Sequence, residues 1–173
     1  MKKALLIIIF CVGVFTCNCQ SSVDSIVSNI ENQAKKGLLQ MERKFEVSPP
    51  CESLYFYDSN KIKLIEIGCG DVSMEQTKTN FYFNNEFILY SKELTHFNAP
   101  PNFTKEKAQE EGIVKGWYDP EKTIVEIEKC YFKSNVMIKW ITFSGKELQP
   151  GTNEFSIKEQ QILADLSKQI NAP

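Results

Sequence analysis

The chain has 173 residues, 42% apolar and 12% aromatic, enough for one domain with a real core and short for two. Its formal charge is −2, and Arg43 is the one arginine among 20 basic residues. Lysines do not form the bidentate clamps that receive phosphate or carboxylate, and no basic run interleaves with aromatics. Nucleic acid is therefore excluded as a partner, and a strongly anionic substrate is disfavoured.

The first element is an address. Lys2 and Lys3 precede an apolar run from Ala4 to Phe15, and small residues follow, the order of a secretory signal. The run is too short to cross a bilayer, which needs about 20 residues. Two processing registers are open. Val14-Phe15-Thr16-Cys17 resembles a relaxed bacterial lipobox, which would make Cys17 a lipidated N-terminus. Cys17 and Cys19 also fit the −3 and −1 positions of an ordinary cleavage site, leaving a mature chain from Gln20. Residues 1–19 are thus read as signal and 20–173 as a single exported domain. The destination is a membrane-anchored lipoprotein facing the periplasm or cell surface, or a soluble periplasmic or secreted protein.

From Val23 the apolar residues fall at 23, 26, 27, 30, 34, 38 and 41, the spacing of one helical stripe. Ser21, Ser22 or Asp24 can cap it, Gly37 marks a weak point, and Ser48-Pro49-Pro50 ends it. Three related stretches follow. Leu54–Tyr57 leads through Asp58-Ser59-Asn60-Lys61 to Ile62–Ile67. Phe81–Phe83 leads through Asn84-Asn85-Glu86 to Phe87–Tyr90. Ile124–Phe132 leads through Lys133-Ser134-Asn135 to Val136–Phe143. Each reads as a β-hairpin, because Asn tolerates the left-handed geometry of tight turns. Glu86 suits that geometry badly, so the second turn is expected to be longer. Aligned on their turns, the copies put Tyr57, Phe83 and Phe132 on one face, and Phe56, Tyr82 and Tyr131 on the other.

Between the second and third hairpins, His96–Phe103 is a proline-bearing loop. Thr104–Glu111 reads as a short helix stopped by Gly112, and Ile113–Tyr118 as a strand. Asp119-Pro120-Glu121-Lys122 is a turn. Ser156-Ile157-Lys158-Glu159 has the form of a capping box. It opens a helix whose apolar side includes Ile162, Leu163, Leu166 and Ile170. The expected class is α+β: a mostly antiparallel sheet of about seven strands built from hairpins, with N- and C-terminal helices packed on one face.

Cys51 and Cys69 flank the first hairpin. With Tyr57 opposite Ile62, strict register sets Cys51 against Gly68. A one-residue bulge near Gly68 would bring Cys69 level and within reach of a disulfide. Cys130 is expected to be a buried free thiol rather than half of a catalytic pair with His96, the one histidine.

No G-x-S-x-G, HExxH or P-loop is present, and no cysteine or histidine spacing suggests a metal. Glu126 and Glu128 alternate on one strand face and are expected to be solvated. An enzyme reading, such as an envelope hydrolase, would need one of them to meet a second acid in a pocket. Trp117, Tyr118, Tyr131 and Trp140 gather around the third hairpin and form the candidate interaction surface.

The aromatic hairpins in FYFNNEFI and CYFKSNVM, with the lysine-rich composition and the lipobox, resemble secreted or lipid-anchored proteins of Bacteroidota with aromatic β-hairpin repeats. The resemblance spans roughly residues 52–143. It implies export and fold and carries over no catalytic residue. The functional expectation is an exported, lipid-anchored, non-enzymatic envelope protein that binds a protein or envelope component and needs no cofactor. An inhibitor or immunity-type protein and a small-ligand binder are the alternatives.

Overall fold

A computed structural model describes residues 21–47, 50–70 and 74–171. The chain forms two compact units, divided after Gln40. In the first, residues 21–35 are helical (α1). The helix ends in a Schellman motif. Gly37 N–H donates to Ala34 O at 3.0 Å and Leu38 N–H to Gln33 O at 3.0 Å. Gly37 takes φ +67°, which costs a residue without Cβ nothing.

The helix expected to run on toward Pro49 therefore stops early, and β1 (Gln40–Val47) takes its place. Met41 had been counted in the helical stripe. It belongs instead to a period-2 pattern, Met41-Arg43-Phe45 against Glu42-Lys44. β1 leads an eight-stranded antiparallel sheet with β2 (Pro50–Asp58), β3 (Lys61–Cys69), β4 (Glu75–Phe83), β5 (Phe87–His96), β6 (Ile124–Lys133), β7 (Val136–Ile141) and β8 (Glu147–Leu148). The strands lie in sequence order, each hydrogen-bonded to its neighbour. Helices stand toward both ends of the chain, so the class is α+β.

The three aromatic repeats are the same structural device. Ser59-Asn60 and Ser134-Asn135 turn with both residues at positive φ, the geometry of a two-residue hairpin loop. The second loop is one residue longer, as Glu86 suggests, and only Asn85 is left-handed. Its Asn84 N–H donates to Glu86 O at 2.9 Å. In all three hairpins the register slips by one residue between the paired aromatics: Phe56/Tyr57, Tyr82/Phe83 and Tyr131/Phe132. The extra residue lies on the returning strand, at Lys63, Ile88 and Ile138. The slip expected near Gly68 is thus real but sits at the other end of the hairpin, beside the turn. There it increases local twist without disturbing the strand ends.

One face carries Tyr55, Ile65, Phe81, Tyr90, Cys130 and Trp140 as a cross-strand row. Phe87, Phe132 and Met137 extend it toward the turns, and Phe87 and Phe132 approach to 4.5 Å between centroids. α3 (Asn153–Asn171) lays Phe155, Ile162 and Leu166 on this face. Each fully buried apolar side chain of this kind contributes about 1.5–3 kcal/mol. On the opposite face Leu64, Tyr82, Leu89 and Tyr131 are also buried.

Three further expectations change. Residues 113–118 are loop rather than strand, and Val114 is 80% exposed. The strand that adds to the third hairpin is β8 instead. The capping box at Ser156 does not form, because α3 begins a turn earlier. Thr152 Oγ1 accepts from Phe155 N–H at 3.2 Å. Glu159, freed from that role, accepts from Met137 N–H at 2.9 Å beside the third bulge. Ile170, expected on the apolar side, is exposed. The short helix α2 (Lys105–Glu110) forms as read, capped by Thr104, and a 3₁₀ turn spans Pro120–Lys122.

Candidate functional site

The bridge expected between Cys51 and Cys69 is present, and the two residues are direct register partners at the far end of the first hairpin. Beyond the aromatic rows this end of the sheet bears short and charged side chains. Glu52, Gly68, Lys78 and Glu93 stand opposite one another across β2, β3, β4 and β5. The row drops at Gly68, which has no side chain, and a Cβ built there meets nothing within 4 Å. The result is an open cleft of about 480 Å³, with the disulfide at one end and Phe45 on its rim. Phe45 is 68% exposed.

The charges in the cleft are partly matched. Arg43 Nε reaches Glu52 at 2.7 Å, and its guanidinium lies 5.7 Å from the Phe45 ring centroid. Lys78 stands opposite Glu93 in register but turns its ammonium to Glu66, also at 2.7 Å. Glu93 is left with no cation at ion-pair distance among the described residues. Its one recorded side-chain contact is a long one, from Thr95 Oγ1 at 3.5 Å. The cleft therefore offers an exposed ring and a carboxylate without a counter-ion, which suits an ammonium or guanidinium on an extended partner.

Neither this cleft nor its residues were legible as a site. Phe45 was read into a helix, and Glu52, Gly68, Lys78 and Glu93 converge only through strand pairing. The alternation in β1 was the one available signal.

The expected aromatic surface does not exist as a unit. Tyr131 and Trp140 are core residues on opposite faces, at 2% and 8% exposure, because Trp140 pairs with Cys130 and Tyr131 with Lys139. Trp117 and Tyr118 are half-buried in the loop after α2. There Lys105 Nζ lies 5.6 Å from the Trp117 ring, and Tyr118 meets Phe97 edge-on at 5.9 Å. Asn98 fastens that loop. Its Nδ2 donates to Trp117 O, and its Oδ1 accepts from Asp119 N–H, both at 3.0 Å.

Glu128 was expected in solvent and is 3% exposed instead. It lies under α3, where Lys158 Nζ ion-pairs with Oε2 and Trp140 Nε1–H donates to Oε1 at 2.8 Å. Lys158 also sits 5.4 Å from the Tyr90 ring and 5.6 Å from the Trp140 ring. Burial, reinforced by the Glu128 charge, holds the Tyr90 phenol and the Cys130 thiol well above their ordinary pKa values. Cys130 is free and fully buried, as expected. Glu128 is satisfied by a cation rather than poised beside a second acid, which is the arrangement of a structural pair. Glu126, two residues away, is half-exposed and lies 3.5 Å from His96 Nε2, while His96 Nδ1 lies 3.0 Å from Glu75. The two carboxylates occupy different ring nitrogens. The described residues contain no cluster able to hold a metal.

Cys17, the expected lipidation position, lies outside the described residues. No described helix is long and apolar enough to cross a membrane. No protein-family model, curated protein or solved structure matches the chain.

Proposed function

We propose that this is an exported, lipid-anchored, non-enzymatic envelope protein that binds a protein or envelope component through the cleft at its disulfide end. The carrying observation is the cleft itself, where exposed Phe45 and Glu93 without a counter-ion share one open surface. Export is supported by the charged and apolar N-terminus, and by a disulfide of the kind that persists in oxidising compartments. Lipidation of Cys17 would hold the domain at a membrane surface.

A photoreactive residue at position 45, activated in cells of the native source, tests the binding role. The expected result is a covalent adduct with a partner other than a second copy of this chain, mapped to a basic segment and lost on Glu93→Lys. Such an adduct that survives Glu93→Lys, or none beyond a self-adduct, overturns the reading. Anchoring is tested separately by fractionation. Cys17→Ser should release the protein from the membrane fraction.

A further inference from the structure

We infer that β1 is a dimerisation edge, pairing antiparallel with β1 of a second copy in a register centred on Arg43. The sheet has two edges. β8 is only two residues long and offers almost no backbone to pair. β1 has eight residues, and no strand among the described residues pairs with its outer side. A long edge left open recruits another strand unless its side chains forbid it. Those of β1 permit one particular partner.

Centred on Arg43, antiparallel pairing sets Met41 opposite the partner's Phe45 and Glu42 opposite the partner's Lys44, each twice by symmetry. Phe45 and Met41 are 68% and 53% exposed on one face of the strand, and each would stand beside the other in a sulfur–aromatic contact. On the other face two cross-strand ion pairs form. Glu42 and Lys44 are already side by side there, 3.9 Å apart, with the Glu42 side chain 54% exposed. The two Arg43 residues meet at the symmetry axis, and Glu52 neutralises each at 2.7 Å. The pattern apolar–acid–base–base–apolar in Met41-Glu42-Arg43-Lys44-Phe45 thus complements itself in this register. Moving the register by two residues in either direction sets Glu42 against itself or Lys44 against itself. In the dimer the partner's Met41 stands beside Phe45, at the rim of the cleft.

Light scattering coupled to gel filtration, at micromolar concentrations of the purified full-length protein, tests this. The wild type should run with twice the monomer mass. Glu42→Lys should run as a monomer because it faces the partner's Lys44, and Lys44→Glu should do so because it faces the partner's Glu42. The double exchange Glu42→Lys with Lys44→Glu should restore the dimer. Both residues also touch their own chain, Glu42 accepting from Tyr57 OH and Lys44 lying over the Tyr55 ring. Circular dichroism melts therefore accompany each variant, and Arg43→Cys provides a second measurement that spares both residues. It should form an intermolecular disulfide under air, mapped by peptide mass spectrometry to position 43 of both copies. A monomeric wild type, a dimer insensitive to both single reversals, or an Arg43→Cys protein that stays monomeric under air would each overturn the inference.

Discussion

Lys158 of α3 reaches across the core face to Glu128 of β6; the carboxylate is buried and the ammonium partly so, at 3% and 19% side-chain exposure. The Trp140 indole N–H holds the second carboxylate oxygen at 2.8 Å. This contact ties the helix to the middle of the sheet at a fixed rotation. It is expensive to half-remove, because the surviving charge stays buried. Lys158→Met should cost about 3–5 kcal/mol in urea unfolding. Adding Glu128→Gln, which can still accept from Trp140, should recover most of that loss. Additive costs in the double variant would show that the charges do not depend on one another.

Alkaline pH should weaken the fold through two buried acids. Cys130 and Tyr90 have ordinary values of 9.0 and 10.0, and both are raised in the fold, by burial first and by Glu128 second. Above those ordinary values the unfolded chain releases protons that the folded chain retains. Stability is therefore fully present below them and falls as pH rises. The slope approaches about 1.4 kcal/mol per pH unit for each group. Cys130→Ala should flatten the decline between pH 9 and 10 in denaturant titrations, and an unchanged slope would contradict it.

The disulfide closes a loop with a sequence separation of 18. Loop entropy gives about 3 kcal/mol for a loop of this size. Replacing both Cys51 and Cys69 by Ser should lower unfolding stability by that amount. A loss under about 1 kcal/mol would mean that strand pairing already orders this end of the hairpin in the unfolded ensemble.

Gly68→Leu separates binding from stability. Its backbone lies in an ordinary strand and a Cβ meets no neighbour, so the fold should tolerate the change with a thermal midpoint at or above that of the wild type. The side chain would fill the low point between Glu52 and Lys78. Partner capture by the photoreactive residue at position 45 should then fall sharply, and undiminished capture would place the contact elsewhere.

The turns can be tested as equivalents. Asn60 and Asn135 both hold left-handed φ, 66° and 61°. Each changed to Ala should cost about 1 kcal/mol, since only Gly and Asn adopt that region readily. In the longer second turn, Glu86 Oε2 accepts from Ser134 N–H at 2.8 Å, so Glu86 bridges two neighbouring turns. Glu86→Ala should therefore loosen both, read as faster amide exchange at Ser134.

The amino-acid sequence by itself determined what is local. Paired aromatics flanking Ser-Asn and Asn-Asn turns specify hairpins, because turn chemistry and period-2 alternation act over a few residues. Hairpins in sequence order specify an antiparallel sheet. The Cys51–Cys69 bridge was legible for the same reason, since it spans a single hairpin. Tertiary structure decided the rest. Strand pairing brought Glu52, Gly68, Lys78 and Glu93 into one row, although they are spread over more than forty positions. Only the path of α3 buried Glu128 while leaving Glu126 half in solvent, although both residues share a strand face. The N-terminal helical stripe misled at Met41. Amphipathic spacing persists past Gly37 by chance, and a left-handed cap overrides it. The aromatic cluster of Trp117, Tyr118, Tyr131 and Trp140 misled because Trp140 pairs with Cys130, whose strand neighbour Tyr131 points to the other face, while Trp117 and Tyr118 lie in a loop.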